Sequence, residues 1–263
     1  MAYLKKQLVR AVESLPGYRL VERRLFFRHV KRLRIEAGLR LALATNFTVK
    51  RGIFAGMKIH ATTSWGADQF TVLSGQYESE LYSIILHASR QSYGAFLDIG
   101  CANGFYAVGF AMISKDCDIV AYDMDDNARR ITALNAELNG VSDRVLIKDK
   151  AEASELGKTI SSYGSALILV DIEGGELDLI NPSKCPELLK CDLLIEVHGQ
   201  TDEVTNTLIK RFCASHRQTI IARQPRNPFQ LEGLNCSFED EAWILVSEGR
   251  GISKNNWLFL ERR

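Results

Sequence analysis

The sequence predicts an α/β fold, an open sheet wound with helices on both faces, and three segments predict it. Phe96-Leu97-Asp98-Ile99 is a short apolar run that breaks into a turn holding Gly100 and Gly104, and residues 105–114 after it are apolar and helix-compatible. Asp118-Ile119-Val120-Ala121-Tyr122-Asp123 repeats the pattern of a short apolar strand ending in an acid. Leu167-Ile168-Leu169-Val170 is apolar throughout, as expected of a strand buried on both faces of a parallel sheet. The carboxyl ends of such strands line the crevice in which open α/β sheets bind ligands.

The first strand carries the most information. Glycines at 100 and 104 can take positive φ, and without a Cβ they let a ligand lie on the peptide groups. Asp98 ends the strand at the same crevice, and the free N–H groups of the helix that follows face whatever is bound. The spacing is D-x-G-x-x-x-G, without the extra glycine that admits a pyrophosphate in dinucleotide enzymes. A carboxylate at 98 also repels phosphate and attracts an ammonium group, so a ligand without pyrophosphate is favoured. These residues resemble motif I of the class I S-adenosylmethionine (SAM) methyltransferases, in which the loop holds the cationic methionine part of SAM. Cys101 within the loop reads as a small buried residue with no redox role.

The second strand supplies the complementary acid. Asp123 stands 25 residues after Asp98, where a carboxylate accepts both hydroxyls of a ribose. Asp125 or Asp126 then caps a helix in which Ala128, Ile131, Leu134 and Leu138 recur at helical spacing, and Gly140 ends it. Residues 145–147 read as a third strand. Asp149, Lys150 and Ala151 follow it where, by the resemblance, adenine is contacted.

Two further blocks narrow the resemblance. Residues 50–59 read as a small glycine-broken hairpin, and Leu81, Ile84, Ile85 and Ala88 mark the core face of the next helix. Arg51-Gly52-Ile53-Phe54-Ala55-Gly56-Met57, with Gly75-Gln76-Tyr77-Glu78-Ser79-Glu80-Leu81, is similar to the entry region of FkbM-type methyltransferases. The resemblance implies that Tyr77 and Glu78 border the SAM pocket; Glu78 reads equally as a first-turn helix acid. Asp171-Ile172-Glu173-Gly174-Gly175-Glu176 is the most specific FkbM-like block, and Glu196-Val197-His198 matches an E-x-H at the end of a fifth strand. Period-two geometry puts Glu196 and His198 on one face, beside Asp171 and Glu173.

By this resemblance, residues 50–263 form a methyltransferase domain: a Rossmann-like sheet of seven strands, the last one antiparallel between the fifth and sixth. The cofactor contacts expected are Asp98, Gly100, Cys101, Asn103, Gly104, Asp123, Asp149, Asp171, Tyr77 and Glu78. The implied activity is O-methylation of a hydroxyl on a small molecule or saccharide, including lipid-linked precursors. His198 is the expected base, because a free imidazole is partly neutral at pH 7, with Glu196 and Glu173 orienting it or the substrate. Asp171, Glu173, Glu196 and His198 could instead ligate Mg²⁺, although the spacing matches no dedicated metal motif, and a histidine merely satisfied at a strand end is the third reading. A SAM-binding scaffold without catalysis, or the same fold with other chemistry, stays open.

Composition sets the outer limits. The 263 residues are 46% hydrophobic, enough for one sizeable α/β core, and no run of 18 apolar residues occurs. Without a signal-peptide pattern a cytoplasmic location is expected, with the six cysteines reduced, since none forms a C-x-x-C pair. Residues 1–49 form a basic helical extension: residues 1–44 carry 11 Lys or Arg against 3 Asp or Glu, leaving the remainder acidic in a chain of net charge +1. Within residues 21–43, Leu25, Phe26, Val30, Leu33, Ile35, Leu39 and Leu41 suggest helices with an apolar stripe and a basic face. Such helices pack on the catalytic domain or in a homodimer, or else lie on an anionic membrane or an acidic partner. Nucleic acid is disfavoured: an N/D-P-P-Y/F signature is absent after the fourth strand, and an acidic crevice repels phosphates. Residues 201–215, 218–223 and 256–262 read as helix, strand and last strand, and the loop 224–237 as a cover for the acceptor pocket.

Overall fold

The structure is a computed structural model that describes residues 18–63, 66–198, 202–224, 226 and 256–263. Five strands run parallel: β1 (Ala95–Ile99), β2 (Asp118–Tyr122), β3 (Val145–Lys148), β4 (Ala166–Val170) and β5 (Asp192–Glu196). β6 (His216–Ile221) and β7 (Trp257–Arg262) complete a seven-stranded sheet in the order β3-β2-β1-β4-β5-β7-β6, with β7 antiparallel to both of its neighbours. The expected topology is therefore present. Order reverses between β1 and β4, so the crevice belongs at the carboxyl ends of these two strands.

Period-two alternation divides the core between the two faces of the sheet. Phe96, Ile119, Leu167, Leu169 and Leu194 face one way, against α4 (Phe105–Ile113) and the segment holding Val49, Phe54, Met57 and Ile59. Leu97, Val120, Ile168, Val170 and Ile195 face the other way, against α6 (Ala153–Tyr163) and α8 (Glu203–Phe212). Helix α8 and strand β6 lie inside and just before the spans read from sequence.

Three expectations are corrected. The basic segment is one continuous helix in its described part, α1 (Tyr18–Ala44), about 40 Å long at 1.5 Å per residue. Its buried contacts are not the apolar stripe: Phe26 and Phe27 are more than half exposed, as are Leu39 and Leu43 or nearly so, while Arg34, Gly38 and Ala42 are buried at four-residue intervals. Arg34 donates to Asp68 at 2.6 Å, just before α2 (Gln69–Ser74), and a Cβ on Gly38 would stand 2.9 Å from the Gln69 Cβ. Close approach and one charge pair thus join the apolar packing of Leu41 and Ala42 against the core. Residues 50–59 fold back on 47–49 through turns rather than strands, closed by one antiparallel bridge, Thr48 to Lys58, with the Val49 N–H donating to the Met57 carbonyl and the Ile59 N–H to the Phe47 carbonyl. In α5 (Asp126–Leu138) the buried set is Ile131, Thr132, Asn135 and Ala136, and Leu138 is exposed. Polar residues are buried there because they tie segments together: Asn135 accepts from the His60 N–H and donates to the Asn103 carbonyl.

Asp125 caps α5 as expected, accepting from the Asn127 N–H at 2.9 Å. The loop expected to cover the acceptor pocket lies almost wholly outside the described residues, as do residues 1–17 of the basic segment. No described helix is long and apolar enough to cross a membrane.

Candidate functional site

The glycine loop has the geometry its sequence requires. Gly100 and Gly104 have φ of +85° and +77°, and a Cβ at Gly100 would lie 1.8 Å from the Asp171 carbonyl oxygen, so the loop and the end of β4 touch only because that Cβ is missing. Ala102, also at positive φ, donates its N–H to Asp123 Oδ2 at 2.8 Å. Asp123 Oδ1 accepts from the Asp125 N–H. This acid is fixed by main-chain donors at the mouth of a crevice of about 760 Å³.

The crevice runs from Gly100 and Asp123 past Lys150 and Ala151 after β3 to Asp171 and Glu173 after β4. Its apolar lining includes Met124 and Ile172, which sequence reasoning did not single out. The only signal for them was adjacency to Asp123 and Asp171. Asp149 stands outside the lining, largely exposed and paired with Arg129 at 3.0 Å.

Asp98 is 1% exposed and accepts from the Ala107 N–H in the first turn of α4 at 2.9 Å. Its other oxygen is buried without a hydrogen-bond partner, and burial pushes its carboxyl up to about 7. Asn103 Oδ1 is likewise a buried acceptor without a hydrogen-bond partner. Glu78 takes a left-handed conformation, φ +45°, and accepts from the Tyr106 hydroxyl at 2.5 Å. Asp98 and Glu78 therefore bind consecutive residues, Ala107 and Tyr106, at the start of one helix. Tyr77 packs edge-on against Phe105, with ring centroids 5.6 Å apart. Cys101 is buried, and burial holds its thiol protonated.

The ends of β4 and β5 bring together all four residues of the second cluster. His198 Nε2 lies 3.6 Å from Asp171 Oδ1, 3.3 Å from Glu173 Oε2 and 3.6 Å from Glu196 Oε2. Nδ1 donates to Glu176 Oε1 at 2.8 Å; an ionised carboxylate only accepts, which assigns that proton to Nδ1. Glu176 is buried at the start of α7 (Glu176–Leu179) and also accepts from the Gly174 N–H. It was legible as the last acid of the D-x-E-G-x-E block but had been given no role. The hydrogen bond to Glu176, against desolvation, raises the imidazole above its ordinary value, and that bond helps hold the Glu176 carboxyl low. Arg223 donates to Glu196 Oε1 at 3.4 Å.

Asp171 and Glu173 belong to both places: they line the crevice and face His198. With strand order 3-2-1-4-5-7-6, an antiparallel seventh strand and a glycine loop at the switch point, the architecture is decided. The fold is that of the class I methyltransferases.

Residues 79–163 match the family model of the ribosomal protein L11 methyltransferase (PrmA). A stretch of 49 residues is 43% identical to the ribosomal protein L11 methyltransferase of Geobacter sp. (strain M21), covering 19% of this chain and 16% of that protein. The chain thus spans about one sixth of the length of the curated relative it matches. Among solved structures, the O-methyltransferase from Bacillus cereus in complex with S-adenosylhomocysteine (SAH) superposes with a TM-score of 0.47 at 13% identity, covering 88% of this chain and 90% of that one. Geranyl diphosphate methyltransferase in complex with SAM gives a TM-score of 0.45 at 9% identity, over 77% and 92% of the respective chains.

Proposed function

We propose that the protein is a SAM-dependent O-methyltransferase of the FkbM type, acting on a hydroxyl of a small molecule or saccharide, including lipid-linked glycan precursors. The observation that carries this reading is the shared wall: Asp171 and Glu173 separate a nucleotide-sized crevice from an imidazole ringed by carboxylates. SAM supplies a methyl group on a sulfonium, whose reactivity needs alignment more than added functional groups.

The chain's own residues fit that cofactor. Asp123, held by two main-chain N–H groups, can accept from a ribose diol with its remaining lone pairs. The unbonded oxygen of Asp98 suits an ammonium group, which would return the buried carboxyl to its ionised form. Met124, Ala151 and Ile172 offer apolar surface to a base. Transfer breaks the S–C bond, forms a C–O bond, releases SAH and requires the hydroxyl proton to leave for a neighbouring carboxylate or water. Glu173, the most exposed acid of the cluster, is placed to receive it. His198 is less suited to that task than its sequence suggested, because its carboxylate neighbours favour the protonated ring.

The match to the L11 enzyme family ends at residue 163, before β4, so it speaks to the cofactor half and leaves the acceptor half, which begins at Asp171, to be read from its own residues. The test is methyl transfer from labelled SAM to a panel of sugars, glycolipid headgroups and amines. Label on hydroxyl acceptors supports the proposal; label confined to amines overturns the O-methyl assignment.

A further inference from the structure

We propose that Asp171, Glu196 and His198 form a binding site for one hard divalent cation, Mg²⁺ or Mn²⁺, with Glu173 as an outer ligand and Glu176 as the residue that positions the imidazole. One ligating atom from each of the first three lies within 4.8 Å of the others. A cation with ligands at about 2.1–2.3 Å places neighbouring donors about 3.0–3.3 Å apart and opposite ones about 4.2–4.6 Å apart. The separations from Nε2, 3.3 Å to Glu173 and 3.6 Å to Asp171 and Glu196, lie between the edges and the diagonals of such a polyhedron, so a cation at the common centre draws these oxygens in by a few tenths of an ångström.

Acids at a strand edge would mean little by themselves; the imidazole decides. With Nδ1 committed to Glu176, the ring directs Nε2 at the three carboxylates. A proton on Nε2 can point at only one of them, whereas a cation at their common centre is shared by all. A carboxylate gripping the far nitrogen of a ligating histidine is the usual way in which a metal site fixes tautomer and ring angle. Two or three carboxylate oxygens with a single nitrogen and no thiolate favour Mg²⁺ or Mn²⁺ over Zn²⁺. Glu196 ends β5, and Asp171 and His198 lie within two residues of the ends of the adjacent strands β4 and β5, so the sheet holds the three donors close together.

The use of the cation, to draw in and orient the acceptor oxygen beside the crevice, rests on the methyl-transfer reading; its presence does not. The test is titration of chelator-treated full-length protein with Mn²⁺, followed by electron paramagnetic resonance of the free ion, with SAH binding measured in parallel. One Mn²⁺ per chain is expected, weakened at least about tenfold by Glu196→Gln and by His198→Gln, with SAH affinity unchanged in both. Glu176→Gln should weaken Mn²⁺ less than loss of the imidazole. Glu173→Gln, at a side chain 83% exposed and safe for folding, should weaken it a few-fold. Absence of Mn²⁺ binding by protein that binds SAH, or binding indifferent to all four substitutions, overturns the site. Mn²⁺ binding without SAH binding would leave the site standing and overturn the cofactor assignment alone.

Discussion

The two halves of the sheet edge build their sites by different means. On the β1–β2 side the functional groups are built on main chain: a glycine loop and N–H donors that hold two acids, Asp98 at the end of β1 and Asp123 just after β2. On the β4–β5 side they are assembled by topology, from residues 171, 173, 176, 196 and 198, and meet chiefly through side chains. The first kind of site tolerates little change in the backbone. The second tolerates change in the backbone's surroundings but little in charge.

The strongest way to break this contrast is Gly100→Ala. A methyl group at φ +85°, directed into the Asp171 carbonyl, should cost on the order of 3 kcal/mol or more and remove SAH binding, read by thermal melting and calorimetry. A melt like that of the wild type would show that the loop can move away from β4. Next in size, Glu196→Gln should lower kcat on the order of a hundredfold while SAH affinity stays within about twofold, because it changes the cluster and leaves the crevice lining alone. Equal losses in both would dissolve the distinction between the halves.

Asp98 sharpens the comparison through pH. Its folded carboxyl titrates near 7, above its ordinary value of 3.8, so between these values the folded state holds more protons than the unfolded one. The free protein should therefore lose stability from this group as pH rises from 4 to 7. A cationic ligand selects the ionised form, so SAM affinity should rise roughly fivefold between pH 6 and 7 and level off above about pH 8, and Asp98→Asn should flatten that profile. The smallest effect is expected at the cap of α5. Asp125→Ala should cost about 1 kcal/mol of stability with kcat unchanged, which a denaturant titration and an assay would check.

What was legible in the sequence follows the same division. The strands, the glycine loop and Asp123 could be read because each is encoded within one short window of apolar period and turn chemistry. The E-x-H pair was legible as a same-face pair, since a strand repeats every two residues. Helix α1 was misread because its packing uses Gly38 and the Arg34–Asp68 pair, a contact across 34 residues that no local pattern announces. The buried Thr132 and Asn135 of α5 escaped for a like reason: their partners, Ala102 for Thr132 and Asn103 and His60 for Asn135, belong to other segments. Glu176 lay in plain view, but its role depends on where the crossover from β4 to β5 brings His198.

The central claim is that the β1–β2 half holds SAM through Asp123 and Asp98. Calorimetric titration of the purified protein with SAM, SAH and NAD, repeated on Asp123→Ala, tests it most directly. The account predicts binding of SAM and SAH at one site per chain, none of NAD, and weakening of at least about tenfold in the variant as two hydrogen bonds to the diol are lost. Folded wild-type protein that binds neither SAM nor SAH, or binds NAD in their place, would contradict it.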